Sequence, residues 1–175
     1  MRKLKLNELN RVSVAEFKEQ EKVPLIVVLE NIRSLNNVGT IFRTCDAFKV
    51  ESVYLVGITA KPPHREIQKT ALGATESVNW EYFETSSEAL SKLKLNGFFI
   101  GSVEQVEDAT DLNDLNKIDF KKLAIVLGNE VKGVEQSTIN ECDVCIEVPQ
   151  FGTKHSLNVS VCAGIVIWEG FNALK

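Results

Sequence analysis

The sequence predicts an α/β fold: a mainly parallel sheet flanked by helices. From residue 25 onward, short apolar runs suited to strands alternate with longer segments whose apolar residues recur at helical spacing. Several of the runs, such as LIVVLE (25–30) and KLAIVLG (122–128), are continuous, as strands covered by helices on both faces should be.

Ahead of this alternation, SVAEFKEQE places Ser13 and Glu16 at capping-box spacing, which predicts a short helix over 13–21. Residues 1–23 then read as a short helical N-terminal extension, and 24–175 as the main domain. After the strand at 25–30, NNVGTIFRTCDAF (36–48) reads as a helix with Ile41, Phe42, Cys45 and Phe48 apolar. A strand comes next at 52–57, then a helix through REIQKTAL (65–72), a strand over SVNWEYF (77–83) and a helix from Ser86. GFFIGSV (97–103) is the next strand, and about 104–121 an acidic loop or short helix. The strand at 122–128, a helix after Gly133, the strand DVCIEVP (143–149) and a last helix from about Leu157 complete the order.

The chain has 175 residues, 44% hydrophobic and 25% charged, which suits one soluble domain with a substantial core. No apolar run approaches the roughly 20 residues of a membrane span, and MRKLKLNELN turns polar before a signal-peptide core forms. The expected location is therefore cytoplasmic, with no membrane partner. The four cysteines lie in apolar periodic segments, and Cys142-x-x-Cys145 alternates like a strand. With only His64 and His155 as imidazoles, the cysteines read as reduced packing residues and no metal site is expected. A net charge of −4 argues against indiscriminate nucleic-acid binding. Local basic stretches remain, Arg2, Lys3, Lys5 and Arg11 in one and Lys61, Arg65 and Lys69 in another.

Open sheets of this kind bind ligands beyond the carboxyl ends of their strands, which directs attention to the residues after Glu30, Gly57, Gly128 and Pro149. Neither G-x-G-x-x-G nor a P-loop occurs there. Three polar stretches do: ENIRSLNNVGTIFRTCDAF, LGNEVKGV and VPQFGTKHSLNVSVCAGIVIW.

In content and order these stretches resemble the three motifs of the SpoU-type (TrmH-like) RNA 2′-O-ribose methyltransferases of the SPOUT alpha/beta-knot superfamily, over Leu25 to Trp168. The resemblance implies a C-terminal deep trefoil knot, S-adenosylmethionine as cofactor, RNA as substrate and a homodimer. It aligns Asn37 and Arg43 with the first motif, Gly128 and Glu130 with the second, and Ser156 and Asn158 with the third. Cofactor contacts fall on Gly128, Val148 and Leu157, with Leu127, Asn129, Gly133, Pro149, Gly152 and Ser156 in the same turns. Where the family often has P-M-x-G, this chain has Pro149-Gln150-Phe151-Gly152. Larger members carry a separate N-terminal RNA-binding domain, and only about two dozen residues stand there here. That favours tRNA over rRNA as the substrate; an rRNA-directed enzyme and an inactive RNA-binding or assembly module of the same fold are the alternatives.

Methyl transfer to a ribose hydroxyl needs the oxygen held in line with the methyl–sulfur bond and its proton removed. Glycines 128, 133 and 152 let backbone approach an adenosine closely. A guanidinium stays protonated, with a pKa above about 12, so Arg43 is expected to grip a phosphate, stabilise the developing alkoxide and relay its proton. Gly39 and Ala47, four residues to either side, are expected to leave room there for an RNA backbone. Glu130 is either catalytic or loop-orienting, and Asn37 either a site residue or a helix cap. Ser156 and Asn158 open the final helix, as caps or as ligand donors. That helix is apolar at Leu157, Val161, Ile165 and Trp168 and also at Val159, Cys162, Val166 and Ile167. One core-facing stripe cannot account for both sets, which predicts a dimer interface on it.

Overall fold

In chain order the elements are α1 (Val14–Glu19), β1 (Val23–Glu30), α2 (Leu35–Ala47), β2 (Val50–Val56), α3 (Arg65–Ala71), α4 (Ala74–Ser77), β3 (Asn79–Phe83), α5 (Ser86–Leu95), β4 (Phe99–Val103), β5 (Thr110–Asp111), a 3-10 helix (Leu112–Lys117), β6 (Leu123–Leu127), α6 (Gln136–Glu141), β7 (Val144–Glu147) and α7 (Val159–Ala173). The computed structural model describes residues 1–5 and 8–175, so 6 and 7 of the predicted extension lie outside it. The strands form one sheet in the order β3-β2-β1-β6-β4-β7-β5, with every pairing parallel.

The continuous apolar runs are central strands, as their composition requires. Leu25, Val27 and Leu29 of β1 face a core shared with Ile41 and Phe42 of α2, Ile67 of α3 and Val166 and Ile167 of α7. Ile26 and Val28 point to the other face, onto Leu90 and Leu93 of α5. The period of two along the strand divides its side chains between these layers.

Local signals account for most boundaries. Ser13 and Glu16 make both bonds of the capping box at α1. β3 begins at Asn79, two residues later than predicted, because Gly73, at φ +91, turns the chain into the single turn of α4. The stretch 104–121 contains β5 and the 3-10 helix, anchored by buried Leu112 and Leu115. α7 starts at Val159, with Asn158 as its N-cap.

Beyond β6 the chain runs out to β7, then returns as α7 across β1 and β6, where Gly170 packs against Leu25, Leu123 and Ile125. This course is consistent with the knot that the resemblance implies. Helices α2 and α7 lie side by side on one face. Asn37 and Asn158 meet at their N-terminal ends, and Phe48 and Trp168 pack with ring centroids 5.4 Å apart at the other. Among the described residues no helix is long and apolar enough to cross a membrane.

The structure corrects one expectation here. Gly39 does not open space for RNA: it is buried, and a Cβ on it would run into Thr70 Oγ1, the Ile67 carbonyl and the Ala71 amide. Its smallness lets α3 lie close against α2.

Candidate active site

A cavity of about 850 Å³ lies at the carboxyl ends of β4, β6 and β7. Its walls come from Val103–Val106, the turn Leu127–Gln136, and the segment from Glu147 to Cys162. The β6 turn is shaped by backbone. Asn129 and Gly133 exchange N–H···O bonds of 3.0 and 2.9 Å, and Gly133 takes φ +71. Gly128 lies flat against the Gly133–Val134 peptide, where any Cβ would collide.

The second motif's glutamate meets the first motif at the rim. Glu130 Oε2 accepts from the Arg33 N–H at 3.0 Å, and Oε1 from the Ser34 N–H at 2.9 Å and Asn37 Nδ2 at 3.0 Å. Partial burial raises the pKa of this carboxyl, but the Arg33 and Ser34 amides, with Asn37, outweigh it and hold Glu130 below the usual carboxylate range. An ionised group that accepts three bonds beside a helix start orients a loop and is a poor proton acceptor. Asn37 Oδ1 in turn accepts from Asn158 Nδ2 at 3.3 Å, and Asn158 Oδ1 caps α7 by accepting from the Ser160 N–H at 2.9 Å. A polar chain thus joins the three motifs.

Of the sequence-predicted residues, Leu127, Gly128, Asn129, Glu130, Gly133, Val148, Ser156, Leu157 and Asn158 line the cavity. Asn37 adjoins it through Glu130 and Asn158. Asn37 is not a cap, since Ser34 holds that position on α2. Ser156 precedes the N-cap of α7 by two residues and is exposed in the loop. Pro149 and Gly152 are outside the wall, and Gly152 has open space around it. Arg43 is exposed, pairs with no carboxylate among the described residues and does not line the cavity. It stands about 9 Å along α2 from Asn37 at 1.5 Å per residue, on the face of exposed Asn36.

Sequence reasoning missed two carboxylates. Glu104 enters the cavity from the end of β4. Fully buried Glu30 accepts from the Glu135 N–H at 2.8 Å and from the hydroxyls of Ser86 and Thr138, fastening α5 and α6 to the end of β1. A glutamate closing the apolar run LIVVLE was the signal for the second; the first carried none.

The cavity thiol, Cys162, is pushed up to about 11 by burial and by the Glu104 carboxylate, so it is a neutral packing group. Burial likewise raises Cys142 to about 12 and raises Cys145, which opposes a thiolate role for the C-x-x-C pair. Among the described residues no three His, Cys, Asp or Glu side chains gather to hold a metal ion.

Residues 24–168 match the SpoU rRNA Methylase family. A Staphylococcus aureus protein, named as a member of the TrmH family of tRNA/rRNA methyltransferases, is 32% identical over 154 residues, covering 88% of this chain and 61% of that protein. The chain therefore spans about three fifths of the length of that relative. The A. aeolicus TrmH/SpoU tRNA modifying enzyme superposes with a TM-score of 0.79 at 28% identity, over 91% of this chain and 80% of that one. An AdoMet-bound rRNA methyltransferase from Sinorhizobium meliloti gives 0.79 at 25% identity, over 94% and 62%.

Proposed function

Since this chain belongs to the SpoU rRNA Methylase family, we propose that it transfers a methyl group from S-adenosylmethionine to a ribose 2′-hydroxyl of RNA, with tRNA the preferred substrate. The observation that carries this reading is the cavity bounded by the second and third motifs, with the first motif's Asn37 bonded to both. The likeness to an AdoMet-bound methyltransferase supports the cofactor, and the likeness to a tRNA modifying enzyme over 80% of its length supports the substrate.

The cavity fits the cofactor on its own terms. About 850 Å³ is within the usual range for a small-molecule site, and the wall combines apolar Leu127, Val148 and Leu157 with bare backbone at Gly128 and Gly133. These residues, with Asn129 and Ser156, would hold the cofactor, while Pro149 and Gly152 set the course of the loop. S-adenosylmethionine supplies the electrophilic methyl group. The chain's own part is positioning. Ionised Glu130 fixes the Arg33 and Ser34 backbone and the Asn37 side chain at the rim, and Asn37 and Asn158 hold each other's amides beside the opening.

Arg43 acts on the RNA. Its exposed guanidinium, unpaired among the described residues, suits a phosphate next to the target ribose and the charge that develops on the attacking oxygen. Because it stands apart from the cavity of its own chain, Arg43 of a second copy completes the site. The interface is the exposed apolar stripe of α7, where Val161 (52% exposed), Ile165 (39%) and Trp168 (50%) succeed one another at i, i+4 and i+7, with Leu157 (38%) just ahead of the helix. Such a protein works in the cytoplasm, where its substrate is. Calorimetric titration of cofactor-free protein with S-adenosylmethionine tests the core of this reading: saturable binding is expected, and absence of heat at millimolar ligand contradicts it.

A further inference from the structure

The proposed methyl transfer assigns no part to Glu104, yet backbone amides fix its carboxylate in the cavity. Its own N–H donates to the Ile146 carbonyl at 3.1 Å, which ties the end of β4 to β7. The carboxylate then folds over the Gly133–Val134 peptide. Oε2 accepts from the Val134 N–H at 3.0 Å and Oε1 from the Gln105 N–H at 2.9 Å. A Cβ at position 133 would strike this carboxylate, so glycine is what allows it to lie there.

A carboxylate has about four acceptor positions, and the two amides occupy one on each oxygen. No ion pair among the described residues takes the others. One acceptor therefore remains on each of two adjacent oxygens, on a side chain that lines the cavity beside Gly128 and Cys162. Two neighbouring anionic acceptors complement two neighbouring hydroxyl donors, and a cis-diol on a five-membered ring presents that pair. The side chains of Leu127, Val148 and Leu157 offer no competing acceptor for them.

We infer that Glu104 accepts hydrogen bonds from the 2′- and 3′-hydroxyls of the cofactor's adenosine ribose and so selects a ribonucleoside ligand. The inference rests on the proposal that S-adenosylmethionine is the cofactor. Glu104 is a specificity residue, held in place by the same turn that forms the floor of the site. A hydroxyl bonded to a charged acceptor contributes more than a neutral pair, and a ligand without it leaves that remaining acceptor position without its partner.

The test compares binding of S-adenosylhomocysteine with that of its 2′-deoxy and 3′-deoxy analogues, by calorimetry, to the wild-type chain and to Glu104→Ala and Glu104→Gln. Wild type is expected to bind the parent about ten- to a hundred-fold more tightly than either analogue. Glu104→Ala should bind all three ligands within about two-fold of one another, and Glu104→Gln should discriminate less than wild type. A merely structural role for Glu104 would weaken all three ligands together and leave their ratio unchanged, which overturns the inference. Should Glu104→Ala fail to fold, an unchanged ratio in Glu104→Gln overturns it equally. Wild-type binding without discrimination refutes this inference alone; no binding of S-adenosylhomocysteine refutes the cofactor reading and the inference together.

Discussion

Asn158 Nδ2 donates to Asn37 Oδ1 at 3.3 Å, so the residue that caps α7 also holds the first turn of α2, 121 positions earlier in the chain. Asn37 passes the connection to Glu130 at 3.0 Å. The first turn of α2, the turn after β6 and the cap of α7 thereby share one polar chain at the mouth of the cavity, and its order is a condition for orienting a substrate there.

Removing Asn158 breaks a cap and a link at once. Asn158→Ala is expected to lower stability by about 1 kcal/mol, the usual value of an N-cap. A double-mutant cycle with Asn37→Ala should give a coupling of about 0.5 kcal/mol, consistent with a long, neutral hydrogen bond. Urea denaturation of the four proteins measures both, and zero coupling would mean that the two amides do not meet in solution.

Glu130 should make stability depend on pH in one direction. Its folded pKa is depressed, so the unfolded chain binds the proton more readily. The stabilisation is fully present above the unfolded value of about 4.3 and is lost as pH falls through the lower folded value. Glu130→Gln is expected to be less stable than wild type by about 1 kcal/mol at neutral pH, a figure reduced for the partial exposure of the site. Urea midpoints of the two proteins should converge as the pH drops below about 4. A constant difference across that window would remove the charge from the explanation.

Gly39→Ala tests the packing of α2 on α3. The added methyl meets two backbone atoms of α3 that cannot rotate away, so a loss of about 1–3 kcal/mol is expected despite the better helix propensity of alanine. Thermal unfolding reports it, and a stabilised variant would show that α3 yields at little cost.

The fold was legible because its signals are local. The apolar runs at 25–29 and 123–127, the Ser13–Glu16 box and the helical spacing of Ile41, Phe42 and Cys45 each specify an element from a few neighbouring residues. Gly128, Glu130 and Asn158 were legible as a set from motif order, and they do come together. What the sequence hid depends on pairing between distant segments. Glu104 reaches the site because β4 lies beside β7, and Gly39 is small because α3 lies over it. Neither neighbour is adjacent in the chain. Arg43 belonged to the right motif, but its helical phase turns it from the cavity beside Asn37 to the face of Asn36, a relation visible only once the helix is docked.

The α7 stripe and Arg43 make a joint prediction. Val161 is half exposed, so Val161→Glu should leave the monomer's stability within about 0.5 kcal/mol of wild type. It should nevertheless shift sedimentation from dimer to monomer and abolish methylation. Arg43→Ala should abolish methylation with cofactor affinity unchanged within a few-fold. Exchanging subunits between Arg43→Ala and Asn158→Ala proteins should restore part of the activity, since one composite site is then intact. Heterodimers that form and stay inactive would mean either that the site is not shared between chains or that both sites must be intact.

The most direct measurement is nucleoside mass spectrometry of tRNA incubated with purified protein and isotopically labelled S-adenosylmethionine. A ribose 2′-O-methyltransferase that uses Arg43 on its RNA places label in a 2′-O-methylnucleoside and loses it with Arg43→Ala. Label on a base, or none from protein that binds the cofactor, would contradict that activity.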